Sequence, residues 1–217
     1  MLVSPPRAPQ SDIQTLDATQ ARLLFEQAKG DRFEALYVLA LTSGMRLGEL
    51  LALHWRDVDL DAGALQVRAT LHEVKGGFQF AERKTEHSRR RVLLSQTAIT
   101  ALRGHRAAQA GERLRAGGDW GDGDLVFANE LGRPVSASNL RNRSYWPLLK
   151  AAGLPRLRFH DLRHTAATLL LGQGVHPKVV SEMLGHSRIT VTLDLYSHVT
   201  PTMQEAATRA MDSVLRA

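Results

Sequence analysis

The fold is decided by the stretch from Phe159 to Val199, FHDLRHTAATLLLGQGVHPKVVSEMLGHSRITVTLDLYSHV. His160 and Arg163 stand three residues apart at the predicted start of a helix, and this spacing puts both side chains on one face. Apolar residues follow as far as a predicted C-cap at Gly172–Gly174. Because free amide groups at a helix N-terminus attract anions, the first turn, with His160 and Arg163 beside it, is a candidate phosphate site.

A second helix is predicted to begin at Pro177, since a residue without an N–H costs little at the first helical position. It is expected to end at Gly185, so that His186 follows its C-terminus directly, and Tyr196 comes ten residues later. The stretch therefore sets two basic groups, a histidine and a tyrosine at short, ordered intervals.

Another candidate site residue lies in the segment LTSGMRLGELLALHW, residues 41–55. Arg46 follows a Ser-Gly break at the start of an apolar helix, where its guanidinium can reach inward toward a site, and Glu49 is placed to hold it. On this segment alone, a solvated arginine with an incidental i,i+3 partner is the more frequent arrangement, so both interpretations stay open.

Composition favours a polyanionic partner. The 217 residues include 28 Lys and Arg against 22 Asp and Glu, a net charge of +6, which favours nucleic acid or an acidic membrane surface. A genome rich in arginine codons would produce the same excess. The chain has no cysteine, which excludes disulfides, thiolate catalysis and zinc–thiolate sites. No apolar run is long enough to span a membrane and no signal peptide is evident, so a cytoplasmic, reducing location is expected.

The rest of the chain is predicted to be mainly helical, with one small sheet. Asp17 and Gln20 have capping-box spacing. Further helices are expected over residues 16–29, 33–42, 95–109 and 136–152. Residues 111–123 are interpreted as a loop, and Pro147 as a kink or restart in the last helix. Strands are expected over residues 64–70, 78–83 and 89–94. The fold class is therefore α+β, mainly α-helical, with a three-stranded antiparallel sheet.

The HDLRH, LGHS and LYSH segments, in this order, resemble the site-specific recombinases of the tyrosine, or phage integrase, family. Members carry an arginine in a Thr-x-Gly-x-Arg-x-x-Glu-Leu setting. That setting is matched by Thr42, Gly44, Arg46, Glu49 and Leu50. The resemblance covers about residues 12–199 and implies the catalytic fold of that family. It also implies DNA strand exchange through a tyrosine that becomes joined to a 3′ phosphate, with no cofactor, metal or ATP.

The resemblance assigns catalytic roles to six residues, all present here. They are Arg46, Lys84, His160, Arg163, His186 and Tyr196. Tyr196 would be the nucleophile and Lys84 the general acid, while Glu49 would support Arg46 from behind. The family's catalytic lysine lies in a β-hairpin, and the Lys84-Thr85 pair fits that setting.

Basic residues around Lys84 and on the helix over 136–152 are candidates for contacts with the DNA backbone. The segment ERKTEHSRRR, residues 82–91, joins the last two predicted strands and has five basic residues against two acidic ones. A charged segment at the tip of a hairpin is usually solvated, but the excess of basic residues favours a tip that faces DNA phosphates. The candidates are Arg83, Arg89, Arg90, Arg141 and Arg143. For the last two, simple solvation is an equally good interpretation.

Three alternatives remain open. His160 and His164 have the i,i+4 spacing of a shortened zinc-hydrolase motif, with His176 or His186 as a third ligand. That interpretation leaves Arg46 and Tyr196 unexplained. Type IB topoisomerases share the catalytic logic of the recombinases and would relax DNA. A DNA-binding module without catalysis would explain the charge, but not the full set of catalytic-type residues.

Three segments are predicted. Residues 1–15 are interpreted as a linker, 16–199 as the catalytic domain and 200–217 as a C-terminal helix with an apolar face. Full-length family members resemble a clamp with a helical N-terminal domain, so this chain is expected to be a fragment or a minimal protein. The resemblance also implies a chain that is monomeric when free and tetrameric on double-stranded DNA, with the C-terminal helix docked on a neighbouring protomer.

Overall fold

The computed structural model describes residues 14–82, 90–186, 188–196, 208–209 and 211–215. Helices form most of this region, as the sequence predicts. The α-helices are α1 (Ala18–Ala28), α2 (Glu34–Ser43), α3 (Leu47–Leu51), α4 (Gln96–Ala116), α5 (Ala137–Leu140), α6 (Trp146–Ala151), α7 (Asp161–Gly172), α8 (Pro177–Leu184) and α9 (Thr190–Tyr196). The strands are β1 (Val58–Asp59), β2 (Ala64–Val67), β3 (Ala69–Val74), β4 (Gly77–Glu82) and β5 (Arg90–Leu93).

The strands form two small antiparallel sheets. In the first, β2 pairs with both β1 and β5; in the second, β3 pairs with β4. The α+β class with a three-stranded antiparallel sheet is confirmed, but the predicted pairing is wrong. The predicted strand over 64–70 is divided at Arg68, whose guanidinium lies 2.6 Å from the Asp57 carboxylate. This break lets β2 and β3 take different partners.

Helix α2 lies at the centre of the core. Eight of its ten residues are buried, and it packs against α1, α4 and α7. A helix that is apolar on all sides must be covered on all sides. Helix α1 begins with the predicted capping box, because the Asp17 carboxylate accepts from the backbone of Thr19 and Gln20 and the Gln20 side chain accepts from Asp17 N.

Two helices differ from their predicted extents. Helix α4 continues to Ala116, through part of the predicted loop, and Glu112 near its end makes a two-contact ion pair with Arg32 (2.8 and 2.6 Å). The predicted restart at Pro147 is confirmed: a π-helical turn over Arg141–Tyr145 interrupts the helix, and Pro147 stands in the first turn of α6. Tyr145, the last residue of the π-helical turn, is buried in the core.

The predicted boundaries of α7 and α8 are confirmed. Pro177 occupies the first position of α8, and Gly185 ends it in the left-handed conformation (φ 68°). Gly44 ends α2 in the same way (φ 62°), and a Cβ there would collide with Leu184. Gly44 therefore lets the end of α2 approach Leu184 at the end of α8.

Parts of the predicted segments lie outside the described residues: residues 1–13 of the linker and most of the tail. The described part of the tail, residues 208–209 and 211–215, is helical, and Met211 and Val214 are exposed. Within the portion of the chain that is described, no helix combines the length and apolarity needed to cross a membrane.

Candidate active site

Arg46 is held by the turn that joins α2 to α3. The backbone of Arg46 is extended (φ −72°, ψ 148°), and α3 begins with the next residue. Glu49 accepts from Arg46 N (3.1 Å) and from the Arg46 guanidinium (3.0 Å). The Glu49 side chain is fully buried, whereas 38% of the Arg46 side chain is exposed. A buried carboxylate thus anchors a guanidinium that reaches the surface, in the arrangement that the i,i+3 spacing predicts.

Arg163 reaches the same turn from the first turn of α7. The residue is 2% exposed, and its Nη1 donates to the carbonyl of Gly44 at 2.8 Å. Arg163 and Arg46 are far apart in sequence but are brought together around the end of α2. The charges of both guanidinium groups act on His160 and His186, and guanidinium groups gathered in this way suit an anion.

His160 directly precedes α7 and packs against His164 one turn later. The two rings meet edge to face with centroids 4.9 Å apart. Partial desolvation lowers the pKa of His160 to about 4, helped by the positive charges of His164, Arg163 and Arg46. Desolvation also lowers the pKa of His164. Both imidazoles are therefore neutral at neutral pH in the free protein.

His186 follows the C-terminus of α8 and contacts the helix that carries Tyr196. Its Nδ1 lies 2.8 Å from Oγ1 of the buried Thr192 in α9. Desolvation, together with the charges of Arg163 and Arg46, lowers the pKa of His186 to about 4. When the Thr192 hydroxyl donates to Nδ1, the proton of the neutral ring is on Nε2, which is then free to donate to a ligand.

Tyr196 is the last residue of α9; its side chain lies outside what the structure describes. The chain has three tyrosines, and the other two, Tyr37 and Tyr145, are fully buried in the core. Burial raises the pKa of both phenols above the usual value. Neither can reach an external substrate, so Tyr196 is the candidate nucleophile among the three.

The comparisons with known proteins agree with this geometry. The model of the phage integrase family matches residues 14–203. This chain belongs to the phage integrase family, the tyrosine recombinases. The resemblance drawn from the HDLRH, LGHS and LYSH segments is thereby confirmed.

Curated relatives of this chain are longer proteins. A XerC-like tyrosine recombinase of Caldanaerobacter subterraneus is 36% identical over 217 residues, which cover 94% of this chain and 55% of that protein. The ICEBs1 integrase of Bacillus subtilis is 30% identical over 183 residues, which cover 84% of this chain and 49% of that protein. The chain therefore spans about half the length of the curated relatives it matches.

Solved structures share the fold of this chain. The Tn1549 transposon integrase in complex with transposon right end DNA matches with a TM-score of 0.79 at 24% identity, over 98% of this chain and 69% of that one. The XerA recombinase matches with a TM-score of 0.70 at 26% identity, over 95% of this chain and 66% of that one. The predicted tyrosine-recombinase catalytic fold is confirmed.

Three of the predicted site residues, Arg83, Lys84 and Arg89, lie outside the described residues. The flanking strands β4 and β5 belong to different sheets. The prediction that Lys84 lies in a β-hairpin therefore falls outside the described residues.

The remaining candidates for contacts with the DNA backbone differ in exposure. Arg141 and Arg143 are exposed on the π-helical turn, and Arg141 lines a surface cleft of about 430 Å³ together with His160. Arg90 is different, because its side chain is only 10% exposed and is ion-paired with Glu49. We correct its predicted role, since a guanidinium so placed does not face a DNA backbone.

Two site residues were missed by sequence reasoning. Thr192 gave no signal, because it belongs to no motif and its contact with His186 is made between different elements. Arg90 was noticed only as one of several basic residues. Its pairing with Glu49 joins β5 to α3, and no local pattern marks such a contact.

The geometry does not favour the zinc-hydrolase alternative. Among the residues described, no group of three or more His, Asp or Glu side chains is arranged to hold a metal ion. His176 caps α8 through its Nδ1, and His186 contacts Thr192. Neither one completes a ligand set with His160 and His164.

The low histidine pKa values predict that stability falls in mild acid. Above about pH 6.5 the imidazoles are neutral in the folded and the unfolded chain, so their contribution to the free energy of unfolding is fully present. As the pH falls from about 6.5 toward 4, the unfolded chain takes up protons that folded His160 and His186 resist. Urea unfolding between pH 7.5 and 4.5 should show a decreasing free energy of unfolding. His160→Gln and His186→Gln should flatten that decrease, and His72→Gln, at an exposed position on β3, should leave it unchanged.

Proposed function

We propose that this chain is the catalytic domain of a site-specific DNA recombinase or integrase, which cleaves and rejoins DNA strands through a 3′-phosphotyrosyl intermediate. The observation that carries the proposal is the convergence of Arg46, Arg163, His160 and His186 beside α9, the helix that ends at Tyr196. Guanidinium and imidazole donors in this number suit a phosphodiester. A cytoplasmic location, on the nucleoid when bound to DNA, goes with this function.

Attack by the Tyr196 hydroxyl on the scissile phosphorus forms the phosphotyrosyl bond and breaks the bond to the 5′-oxygen. A phenol has a pKa of about 10 in water, so the hydroxyl must lose its proton as it attacks. His160, neutral at pH 7 because of its low pKa, is suited to take that proton. The bond energy is retained in the phosphotyrosine, which makes the step reversible without ATP.

Charge that builds up on the non-bridging oxygens is stabilised by fixed donors. Arg163 is locked by Gly44 and Arg46 by Glu49, so neither must reorganise when the pentacoordinate transition state forms. His186 donates from Nε2 to the same oxygens. Glu49 is the residue that supports Arg46, and exposed Arg141 and Arg143 contact the flanking DNA backbone.

Lys84 is the proposed general acid for the leaving 5′-oxygen. Lys84→Ala is expected to slow cleavage of ordinary DNA by about 10²–10⁴-fold and to be largely restored on DNA with a 5′-bridging phosphorothiolate, because sulfur leaves without protonation. The rate of covalent adduct formation measures both. Lys75→Ala, on the turn between β3 and β4, is the control. Equal defects on the two substrates would remove Lys84 from this role.

The proposed function is tested by covalent trapping. The chain is incubated with a pool of nicked suicide duplexes of randomised sequence, and DNA that remains attached in SDS is recovered and sequenced. A shared sequence in the recovered duplexes supports a site-specific recombinase. Relaxation of supercoiled DNA without sequence preference would favour the topoisomerase alternative, and no adduct with any duplex would contradict the proposal.

The tail is proposed to dock on a neighbouring protomer, so that the free chain is monomeric and assembles as a tetramer on DNA. This agrees with the exposure of Met211 and Val214 in the described part of the tail. Deleting residues 200–217 from a protein that includes an N-terminal clamp domain should abolish assembly on DNA while single-site binding persists. A gel-shift series separates the two, and intact assembly after the deletion would exclude trans docking.

A further inference from the structure

Arg90 is a buried guanidinium at the meeting point of three elements. It begins β5, and its Nη2 and Nη1 donate to Glu49 in α3 at 2.8 and 3.3 Å. Its side chain also covers Gly185 at the end of α8, where a Cβ would lie 3.0 Å from Arg90 Cδ and 3.1 Å from Nη1. Arg90 therefore fixes β5, α3 and the C-terminus of α8 relative to one another.

Glu49 is shared between two arginines. Its Oε1 accepts from Arg46 Nη1 at 3.0 Å and from Arg90 Nη1 at 3.3 Å, while its Oε2 accepts from Arg46 N and from Arg90 Nη2. A buried carboxylate requires compensation by positive charge and hydrogen bonds. Because Arg90 supplies much of both, Glu49 holds Arg46 by one guanidinium nitrogen, and the other donors of Arg46 stay available for a ligand.

Without Arg90, the buried Glu49 carboxylate would lose two of its donors, and Arg46, the other described guanidinium in contact with it, could take their place. Arg46 is half-exposed and has the freedom to turn inward and make a two-contact pair with the carboxylate. Such a pair would draw the Arg46 donors away from a phosphate. The space left beside Gly185 would also release the segment that positions His186.

We propose that Arg90 is a positioning residue: it shares the Glu49 carboxylate so that Arg46 is directed at the scissile phosphate, and it supports Gly185 so that His186 meets the same oxygens. This inference rests on the proposed function for the identity of the substrate. The geometry of the anion site does not depend on the proposed function and is testable with inorganic phosphate.

The first experiment measures phosphate binding without DNA. Inorganic phosphate is titrated into the full chain while the imidazole Cε1–H signals of His160 and His186 are followed by NMR. Arg90→Gln should raise the dissociation constant about tenfold, the equivalent of one weakened charge-assisted hydrogen bond. Arg91→Gln, the exposed neighbour on β5, removes the same charge and should match the wild type. Equal constants for the two variants would overturn the proposal.

The second experiment measures adduct formation on a duplex selected by trapping, with a phosphate or a neutral methylphosphonate at the cleaved position. Arg90→Gln should slow the reaction about 10–100-fold on the phosphate and much less on the methylphosphonate, which places little charge opposite Arg46. A defect of equal size on both substrates would show a merely structural role and overturn the proposal. The rate of Arg90→Lys, which keeps the charge, should lie between those of wild type and Arg90→Gln. If Arg90→Gln does not fold, Arg90→Lys replaces it.

The two experiments distinguish an error in the proposed function from an error in the role of Arg90. If the wild type forms no adduct with any duplex, the proposed function is wrong, and the phosphate titration still decides the role of Arg90. If the wild type forms the adduct and Arg90→Gln equals Arg91→Gln in both experiments, the function stands and the Arg90 proposal is wrong.

Discussion

Replacing Tyr196 with phenylalanine is expected to abolish covalent attachment to DNA while DNA affinity stays the same. Only the nucleophilic oxygen is removed, and the loss of a nucleophile costs at least ~10⁴-fold in rate. The adduct is measured as SDS-resistant labelled DNA, and affinity by gel shift on the same duplex. An SDS-resistant complex formed by the phenylalanine variant would show that another residue attacks the phosphate.

Tyr145→Phe is the matched control for this experiment. Tyr145 is fully buried, and its hydroxyl has no hydrogen-bond partner among the described residues. Removing that hydroxyl should leave both adduct formation and DNA affinity unchanged. The pair of variants therefore separates the chemistry of one phenol from a general loss of tyrosine.

Replacing Arg163 with alanine is expected to produce the second-largest loss. The guanidinium both faces the phosphate site and donates to the carbonyl of Gly44. Adduct formation should fall about 10³-fold, the size of effect seen when a fixed transition-state donor is removed. The buried carbonyl would also lose its partner, which costs about 1–3 kcal/mol in the free energy of unfolding.

Rate and stability are measured on the same preparations of the Arg163 variant. Arg113→Gln, at an exposed arginine paired with Asp122 on the surface, is the control for charge and should change neither quantity. Arg163→Lys keeps the charge but loses the planar fork, so its rate should lie between wild type and Arg163→Ala. A rate within a few-fold of wild type for Arg163→Ala would remove Arg163 from the catalytic set.

The sequence by itself determined the features that depend on local chemistry. Pro177 and Gly185 bound α8 because each favours one backbone conformation at a helix end. Asp17 and Gln20 mark the start of α1 through contacts made within one turn. The ordered HDLRH, LGHS and LYSH segments were sufficient to identify the family. The i,i+3 spacing of Arg46 and Glu49 was enough to predict their contact.

Only the tertiary structure decided how distant segments combine. β2 and β3 pair with different partners on either side of Arg68, which contacts Asp57, and strand periodicity does not encode this division. Arg90 and Arg91 are adjacent and chemically identical, yet one is buried against Glu49 and the other exposed. The difference is physical: alternate residues of a strand point to opposite sides, and which side meets the site depends on how the sheet packs against α3 and α8.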